Sequence, residues 1–316
     1  MGRTLEKTIY FRSSGELADA LRRGNGIDLY ITQLSNGPQN GSFYIRRSLD
    51  GIIICELTTT QDISVEGARN PAFIPVIIPE GKVVDHGHEI KKGSIITESL
   101  SKKRNNQTSN VLYAGSKLSV VQLPSHSLKE NINADAINIL EQSNSLSPRY
   151  GDYKRLADYL QTSPRCFNRT LEEWLLLIEQ VASNSAKERN NNPKVDIGLA
   201  AKVITMGYTQ FPETRLRLSH LCESLSTCKN TIYRVCHEEF GCTPMRMIKA
   251  IRLEQVKTLI EQPEACKKLK LSSIKEIANY YGFSDQKRLR KEYSKLFGEL
   301  PSQTLHRNWN RFFQEI

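Results

Sequence analysis

The sequence predicts an α+β protein, with a β-rich first part and an all-α last part. Short runs of β-branched and aromatic residues, separated by Gly, Asn and Pro, fill roughly the first 125 positions. Apolar residues at helical spacing follow, and the last 116 residues contain twenty Lys and Arg against twelve Asp and Glu. These patterns favour a barrel-like or sandwich-like β domain with a helical segment, followed by a basic helical domain.

Six runs of sequence predict the strands of the first part. They recur at fairly regular spacing, as expected of a barrel or sandwich. One helix, over 15–23, is predicted ahead of most of them. The six runs are IDLYITQL, GSFYIRR, GIIICELT, AFIPVIIP, GSIITESL and KLSVVQLP.

Changes in composition divide the chain into three parts. Residues 1–127 form the β-rich domain, 128–195 a helical region and 196–316 a second helical block. The Asn-rich stretch NSAKERNNNPKVD supplies a linker before that block.

The clearest helix of the middle region is LEEWLLLIEQV. It has one apolar stripe, which would form either a dimer interface or a core contact within the chain. The stripe consists of Trp174, Leu175, Ile178 and Val181.

The second helical block contains a repeat. Each copy begins with apolar residues at i, i+3, i+4 and i+7, which predict a helix, and ends in F-G-x-x-P. The glycine favours a left-handed helix stop and the proline prevents continuation, so each copy is predicted to be a helix-turn-helix unit. The first-helix residues are Leu218, Leu221, Cys222 and Leu225 in one copy, and Ile274, Ile277, Ala278 and Tyr281 in the other.

The second helices differ in their N-terminal caps. Ser284 or Asp285 caps the helix of the second unit, whereas Cys228, a weaker cap, holds that place in the first. Between the units, a proline-bounded helix over 244–263 is predicted to be about 25 Å long. Such a spacer could hold two recognition helices near successive major-groove openings, about 34 Å apart.

The polar face of each second helix carries residues of the types that recognise DNA. The start of a recognition helix reaches base edges in the major groove, where Gln and Asn suit adenine and Arg and Lys suit guanine. Arg288, Lys295 and Lys229 are assigned to phosphates, which set position rather than sequence. The candidate DNA-binding residues are Lys229, Asn230, Tyr233, Arg234, Gln286, Lys287, Arg288, Arg290, Lys291 and Lys295.

Residues 200–308 resemble the AraC/XylS family of transcription regulators. The resemblance rests on Leu221–Cys222, Ile232-x-Arg234 and four longer stretches: FGCTP, RLEQVKTLI, SIKEIANYYGF and KLFGELPSQTLHR. The sequence departs from the family pattern with Cys222 for Ala, Cys228 for Ser, and Cys236 and Tyr293 for Phe.

The resemblance implies an all-α domain that binds double-stranded DNA and activates transcription by contacting RNA polymerase. The order of elements in the first part is similar to the effector or dimerisation domain of such regulators. Residues 14–131 are faintly similar to the ethanolamine-type members. The resemblance thus implies a small-molecule effector for 1–127 and a homodimer through 128–195, but it does not distinguish an activator from a repressor.

Two other functions are left open by the sequence. HGHE, with His86, His88 and Glu89, resembles part of the cupin metal motif, although Gly81 is one residue out of place and no distal His matches. The alternatives are therefore a cupin-like metal enzyme, or a protein-binding adaptor, fused to a DNA-binding tail. The leading expectation is a non-enzymatic regulator without metal or cofactor.

Composition supports a cytoplasmic regulator. The net charge of +10 favours a polyanionic partner. Seven cysteines without a C-x-x-C indicate reduced thiols, and Cys222, Cys228, Cys236 and Cys242 fit no common zinc spacing. The sequence contains no apolar run of membrane-spanning length, no signal-peptide pattern and no G-x-S-x-G, Walker or H-E-x-x-H motif.

Overall fold

The computed structural model describes residues 5–68, 70–97, 107–142, 145–160, 170–185, 197–210 and 216–314. The end of the predicted GSIITESL strand, Cys166 and most of the Asn-rich linker lie outside these residues. Within the described ranges, every helix is too short or too polar to cross a membrane.

The strands of the described residues all lie in the first half of the chain. They are β1 (Leu5–Phe11), β2 (Leu29–Gln33), β3 (Gly41–Arg47), β4 (Ile53–Thr59), β5 (Ile63–Ala68), β6 (Phe73–Glu80), β7 (Val83–Asp85), β8 (His88–Glu89), β9 (Ile95–Ile96), β10 (Gln107–Leu112), β11 (Lys117–Pro124) and β12 (Ser145–Leu146).

One helix precedes β2 and the others follow β11. They are α1 (Ser14–Asn25), α2 (Ser125–Asn131), α3 (Ala134–Gln142), α4 (Tyr150–Leu160), α5 (Leu171–Asn184), α6 (Ile197–Thr209), α7 (Leu218–Ser224), α8 (Lys229–Phe240), α9 (Pro244–Glu261), α10 (Pro263–Lys268), α11 (Ile274–Tyr280), α12 (Gln286–Phe297) and α13 (Pro301–Gln314).

The strands form two antiparallel sheets packed face to face, so the β part is a sandwich. The first sheet has the order β1-β3-β4-β11-β6-β9-β12 and the second the order β2-β5-β10-β7-β8. Their shared core includes Phe43 and Ile53 from the first sheet and Ile63 and Leu112 from the second. Because side chains alternate along a strand, Ile54 points to the opposite face of the first sheet, into a different core.

Helices α2–α5 cover that opposite face of the first sheet. Val76 and Val121 of the sheet share a core with Leu156 of α4 and with Trp174 and Ile178 of α5. The apolar stripe predicted on α5 is therefore buried within the chain, which decides between the two alternatives for this face. Strand β12, which the sequence did not predict, pairs with β9 and ties the helical region to the sheet.

The C-terminal helical block covers the outer face of the second sheet. Val84 of β7 and Val111 of β10 share a core with Ile204 of α6 and with Ile232 and Val235 of α8. The molecule thus has four layers: helices α2–α5, the first sheet, the second sheet and the helical block from α6 onward. The predicted α+β class is confirmed, and the second sheet is buried on both faces.

Candidate DNA-binding surface

The predicted repeat is present as two helix-turn-helix units. The first consists of α7 and α8, and the second of α11 and α12. Both second helices end as predicted at a left-handed glycine, Gly241 (φ 64°) and Gly298 (φ 71°). The glycine N–H groups donate to the carbonyl oxygens of His237 and Ser294, which closes each helix.

The turn of the first unit is less favourable than that of the second. The residue with positive φ is Gly282 (φ 80°) in the second unit but Ser226 (φ 47°) in the first. A left-handed conformation costs a residue with a Cβ about 1–2 kcal/mol, and glycine avoids this cost. The first unit therefore holds its turn under more backbone strain.

The N-terminal cap of α8 in the first unit is also weaker than that of α12 in the second. Oδ1 of Asp285 accepts hydrogen bonds from the backbone N–H groups of Lys287 (2.9 Å) and Arg288 (3.1 Å) at the start of α12. Cys228 provides no side-chain cap to α8; its sulfur lies 3.1 Å from Oγ1 of Thr231. The sequence prediction of a weak cap on the first recognition helix is confirmed.

Removing the Asp285 cap is expected to destabilise the start of α12 by about 0.5–2 kcal/mol. In Asp285→Ala, the amide protons of Lys287 and Arg288 should exchange faster by a corresponding factor. Cys228→Asp should have the opposite effect on the first turn of α8. The matched control is Ser284→Ala, an exposed neighbour outside the cap. Similar losses in both alanine variants would show that the Asp285 hydrogen bonds contribute nothing particular.

Helix α9 supports both units at once. It begins at Pro244 behind the cap Thr243, whose Oγ1 accepts from the N–H of Arg246. Ile251 packs in the core of the first unit, whereas Val256 packs with Leu289 in the core of the second. The predicted spacer is therefore a shared core element, and it fixes the two units on one rigid helix.

The candidate DNA-binding residues lie on the solvent-facing sides of α8 and α12. Tyr233 and Gln286 are half-buried and the other eight are exposed. The Lys229 ammonium lies 5.7 Å from the centre of the Tyr233 ring. Arg234 forms an ion pair with Glu238 one turn later on the same helix, at 3.1 Å.

Further cations surround the second unit and were not selected from the sequence. Lys267 and Lys268 end α10, Lys270 follows them, and Lys275 lies on α11; all four are exposed. The signal that could have found them is the lysine-rich stretch KKLKLSSIK, which leads directly into the first helix of the unit.

Both recognition helices are also held by the β sandwich at their C-terminal ends. The side-chain amide of Gln33 (2.6 Å) and the backbone N–H of Gly37 (2.9 Å) donate to the carbonyl oxygen of Leu296 in α12. Oγ of Ser109 lies 2.6 Å from Oε1 of Glu239 in the last turn of α8. The N-terminal ends of α8 and α12 remain solvent-exposed.

Buried carboxylates on α9 complete this contact. Oε1 of Glu254 accepts hydrogen bonds from Oγ of Ser14 (2.7 Å) and from the N–H of Gln33 (2.9 Å). Glu261 accepts from Oγ of Ser13 at 3.1 Å. Burial raises the pKa of Glu254, and it raises the pKa of Glu261 to about 7.

The groups considered for metal binding are dispersed. His86 is buried, with Nδ1 2.7 Å from Asp85, while Glu89 is exposed and pairs with Lys82 at 3.7 Å. Cys236 is buried in the helical core, where desolvation raises the pKa of its thiol to about 12. Among the described residues, no group of three or more His, Cys, Asp and Glu side chains is placed to hold a metal ion.

A cleft of about 540 Å³ lies where β1, β3 and α1 meet α13. Ile9, Tyr10 and Ile45 supply apolar surface, and four cations and two acids supply charge. Arg23 is paired with Asp19 (2.6 Å) and Arg307 with Glu299 (2.9 Å). The lining residues are Lys7, Ile9, Tyr10, Arg12, Glu16, Asp19, Ala20, Arg23, Gly24, Ile45, Arg307 and Asn308.

Comparison with known proteins identifies the helical block. Residues 221–307 match the family model described as a helix-turn-helix domain. The chain is 31% identical over 135 residues to a XylDLEGF operon transcriptional activator of Pseudomonas putida, covering 41% of this chain and 38% of that protein. It is 25% identical over 126 residues to the Msm operon regulatory protein of Streptococcus mutans, covering 40% and 41%. The chain thus spans about two fifths of these relatives.

Solved structures of other proteins are also similar. ToxT from Vibrio cholerae is 16% identical, with a TM-score of 0.33 over 96% of this chain and 98% of that one. The AraC-like transcriptional activator CuxR is 16% identical, with a TM-score of 0.38 over 79% and 94%. Scores this low establish no common overall arrangement, so the assignment rests on the sequence match and on the paired helix-turn-helix units. The match identifies residues 221–307 of this chain as a helix-turn-helix domain.

Proposed function

We propose that the chain is a sequence-specific DNA-binding regulator of transcription, and that α8 and α12 enter two successive major grooves on one face of the duplex. The observation that supports this most directly is that one helix, α9, supports two helices whose N-terminal ends are exposed and basic. In this arrangement residues 196–316 form the DNA-binding domain. Activation through contact with RNA polymerase fits the activator relatives.

Seven of the ten candidate residues divide by their expected contacts. Asn230 and Gln286 suit adenine, and Arg234 and Arg290 suit guanine. Lys229, Arg288 and Lys295 contact phosphates, and the lysines at 267, 268, 270 and 275 extend this positive surface along the backbone.

DNA selection followed by titration at several salt concentrations tests the proposal. The full chain is incubated with a random DNA library, and the enriched sequences are measured by gel shift. We expect two enriched half-sites about one helical turn apart, with affinity falling steeply as salt rises. Enrichment of a single half-site would contradict the two-groove arrangement, and the absence of salt-dependent DNA affinity would contradict the function itself.

The cleft between β1, β3, α1 and α13 is the proposed effector site of the β-rich domain, 1–127. Arg23 and Arg307 are occupied by acids, but among the described residues the side chains of Lys7 and Arg12 form no ion pair. The 80% exposed Tyr10 adds an aromatic surface beside them. A small organic anion with an apolar body fits these groups, and it should raise the melting temperature of the full chain less in Arg12→Gln than in the parent protein.

A further inference from the structure

A second cleft, of about 310 Å³, lies between α9 and α12 beside the loop that joins β2 to β3. Two residues of that loop, Leu34 and Asn36, line one side of it. Its floor is apolar, because Met247 and Leu253 of α9 and Leu296 of α12 are buried there. The α9–α12 cleft is therefore a junction of three parts of the chain: the β sandwich, helix α9 and the second recognition helix.

The charged groups of this cleft are unbalanced. Three cations line it, Arg246, Lys249 and Lys295, against one acid, Glu292. Nζ of Lys249 lies 2.8 Å from Oε2 of Glu292, so these two charges compensate each other. Among the described residues neither Arg246 nor Lys295 forms an ion pair, and both side chains are exposed. Three positive charges and one negative charge leave the cleft with an excess of two positive charges.

The acid of the cleft reports the same positive field. A hydrogen bond from Lys249 lowers the pKa of Glu292, and so do the charges of Arg288 and Lys295, although burial acts in the opposite direction. A concave surface with an apolar floor concentrates such a field, because less water screens it. The cleft is therefore electrostatically suited to an anion.

The types of donor that line the cleft favour a phosphate group. A guanidinium group presents parallel N–H donors that match two oxygens of a phosphate, whereas an ammonium group supplies a point charge. Nη2 of Arg246 lies 3.4 Å from the carbonyl oxygen of Leu34, which is a long contact for one of five donors. The exposed Asn36 adds a side-chain amide from the sandwich loop.

We propose that the α9–α12 cleft is a phosphate-binding site, in which Arg246 and Lys295 bind one phosphate group and Asn36 donates a further hydrogen bond. Two sources can supply that group: the backbone of a bound duplex, or a free phosphorylated small molecule. Arg288 and Lys295 are seven residues apart, on one side of α12, and are assigned to backbone phosphates, so the cleft extends this side of the helix onto α9. The duplex source rests on the proposed function, whereas the site itself does not.

Titration of inorganic phosphate into the full chain, without DNA, tests the site. The side-chain N–H resonances of Arg246 and Asn36 should shift and saturate, and chloride at equal ionic strength should not reproduce this saturation. In Arg246→Gln and in Lys295→Gln the dissociation constant, followed through Asn36, should rise about tenfold, because each variant loses a charged donor. Arg246→Lys keeps the charge but loses the paired donors, so its affinity should fall between those of the parent protein and Arg246→Gln.

The matched control is Lys202→Gln. Lys202 is exposed on α6 in the same helical block and does not line the cleft. This variant also removes one positive charge, and it should bind phosphate as the parent protein does. The proposal is overturned if phosphate causes no saturable shift, or if Arg246→Gln and Lys295→Gln bind phosphate as tightly as Lys202→Gln.

Gel-shift titration with the selected DNA at several salt concentrations separates the two sources. If a backbone phosphate occupies the cleft, Arg246→Gln should reduce the salt slope by about one on every sequence. An unchanged slope, together with weakened binding of inorganic phosphate, would assign the site to a free phosphorylated molecule. If the chain bound no DNA at all, the proposed function would fail, while the phosphate titration would still decide the site.

Discussion

Replacing Glu299 with alanine is expected to lower the free energy of unfolding by about 3–5 kcal/mol, because it leaves a buried ammonium group without its partner. Lys257 of α9 has only 4% of its side chain exposed, and Nζ lies 3.1 Å from Oε1 of Glu299. Arg307 donates two hydrogen bonds of 2.9 Å to the same carboxylate, and Thr304 donates a third. Glu299 therefore joins α9 to α13 just beyond the end of the second recognition helix.

Chemical denaturation of the full chain measures this loss. Glu292→Ala is the control, because Glu292 pairs with Lys249 at 2.8 Å near the surface, where such pairs contribute less than about 1 kcal/mol. Adding Lys257→Met to Glu299→Ala should recover part of the stability, since it removes the uncompensated charge. If Glu299→Ala and Glu292→Ala proved equally mild, the buried ion pair would not be a principal support of the domain.

Acid should produce the same weakening in the unaltered protein. Burial alone would raise the pKa of Glu299, but hydrogen bonds from Arg307 and the charge of Lys257 outweigh it and hold the pKa below its ordinary value. The stabilisation is therefore fully present above the ordinary carboxyl pKa and is lost as pH falls through the lowered value. This contribution should be missing from the acid limb of the stability profile of Glu299→Ala.

Replacing Arg290 with alanine is expected to weaken binding to the selected DNA site by about 1–3 kcal/mol, or roughly 5- to 150-fold. Arg290 is exposed on the second turn of α12, where a guanidinium group can contact guanine through two hydrogen bonds. Arg234→Ala on α8 should fall at the lower end of this range, because Arg234 must give up its ion pair with Glu238 to contact a base. Gel-shift titration at fixed salt measures both.

Lys295→Ala is the matched control for Arg290→Ala. It lies on the same helix and is exposed, but it is assigned to a phosphate. Its loss should weaken binding to all sequences alike and reduce the salt slope by about one. If Arg290→Ala also weakened every sequence equally, Arg290 would be a phosphate contact, and the assignment of base readers on α12 would be wrong.

The paired helix-turn-helix units could be predicted from sequence because their signals are local. Each signal acts within one or two turns of the chain. The signals are the apolar residues at helical spacing, the left-handed Gly241 and Gly298, and the cap Asp285. For the same reason, the weak cap at Cys228 was visible without a structure. Sequence reasoning could not place the candidate residues relative to the β sandwich, because that depends on contacts between distant segments.

The contact between the β sandwich and the helical block was not predicted. The residues that form it are polar, and in a sequence they look like residues that face solvent. Glu254 and Glu261 lie on α9 where a polar stripe normally faces water, yet they accept hydrogen bonds from Ser14 and Ser13 more than 200 positions away. Strands β5 and β10 were missed for a related reason. Both strands contain buried polar residues, Glu66 in β5 and Ser109 in β10, and β10 also lacks the apolar alternation by which strands are recognised.

The order of strands in the second sheet has a mechanical consequence. The segment that begins in β2 is hydrogen-bonded to α12, and β10 is hydrogen-bonded to α8. In the sheet, only β5 separates β2 from β10. Neighbouring strands keep a nearly constant spacing of about 4.8 Å. The two recognition helices, α8 and α12, are therefore attached to one sheet that cannot be stretched. If the two half-sites of the DNA were moved apart by one base pair, about 3.4 Å, the protein could not bind both by shifting one recognition helix along the duplex. The duplex would have to be overtwisted or curved, or one recognition helix would have to break its contact with the sheet.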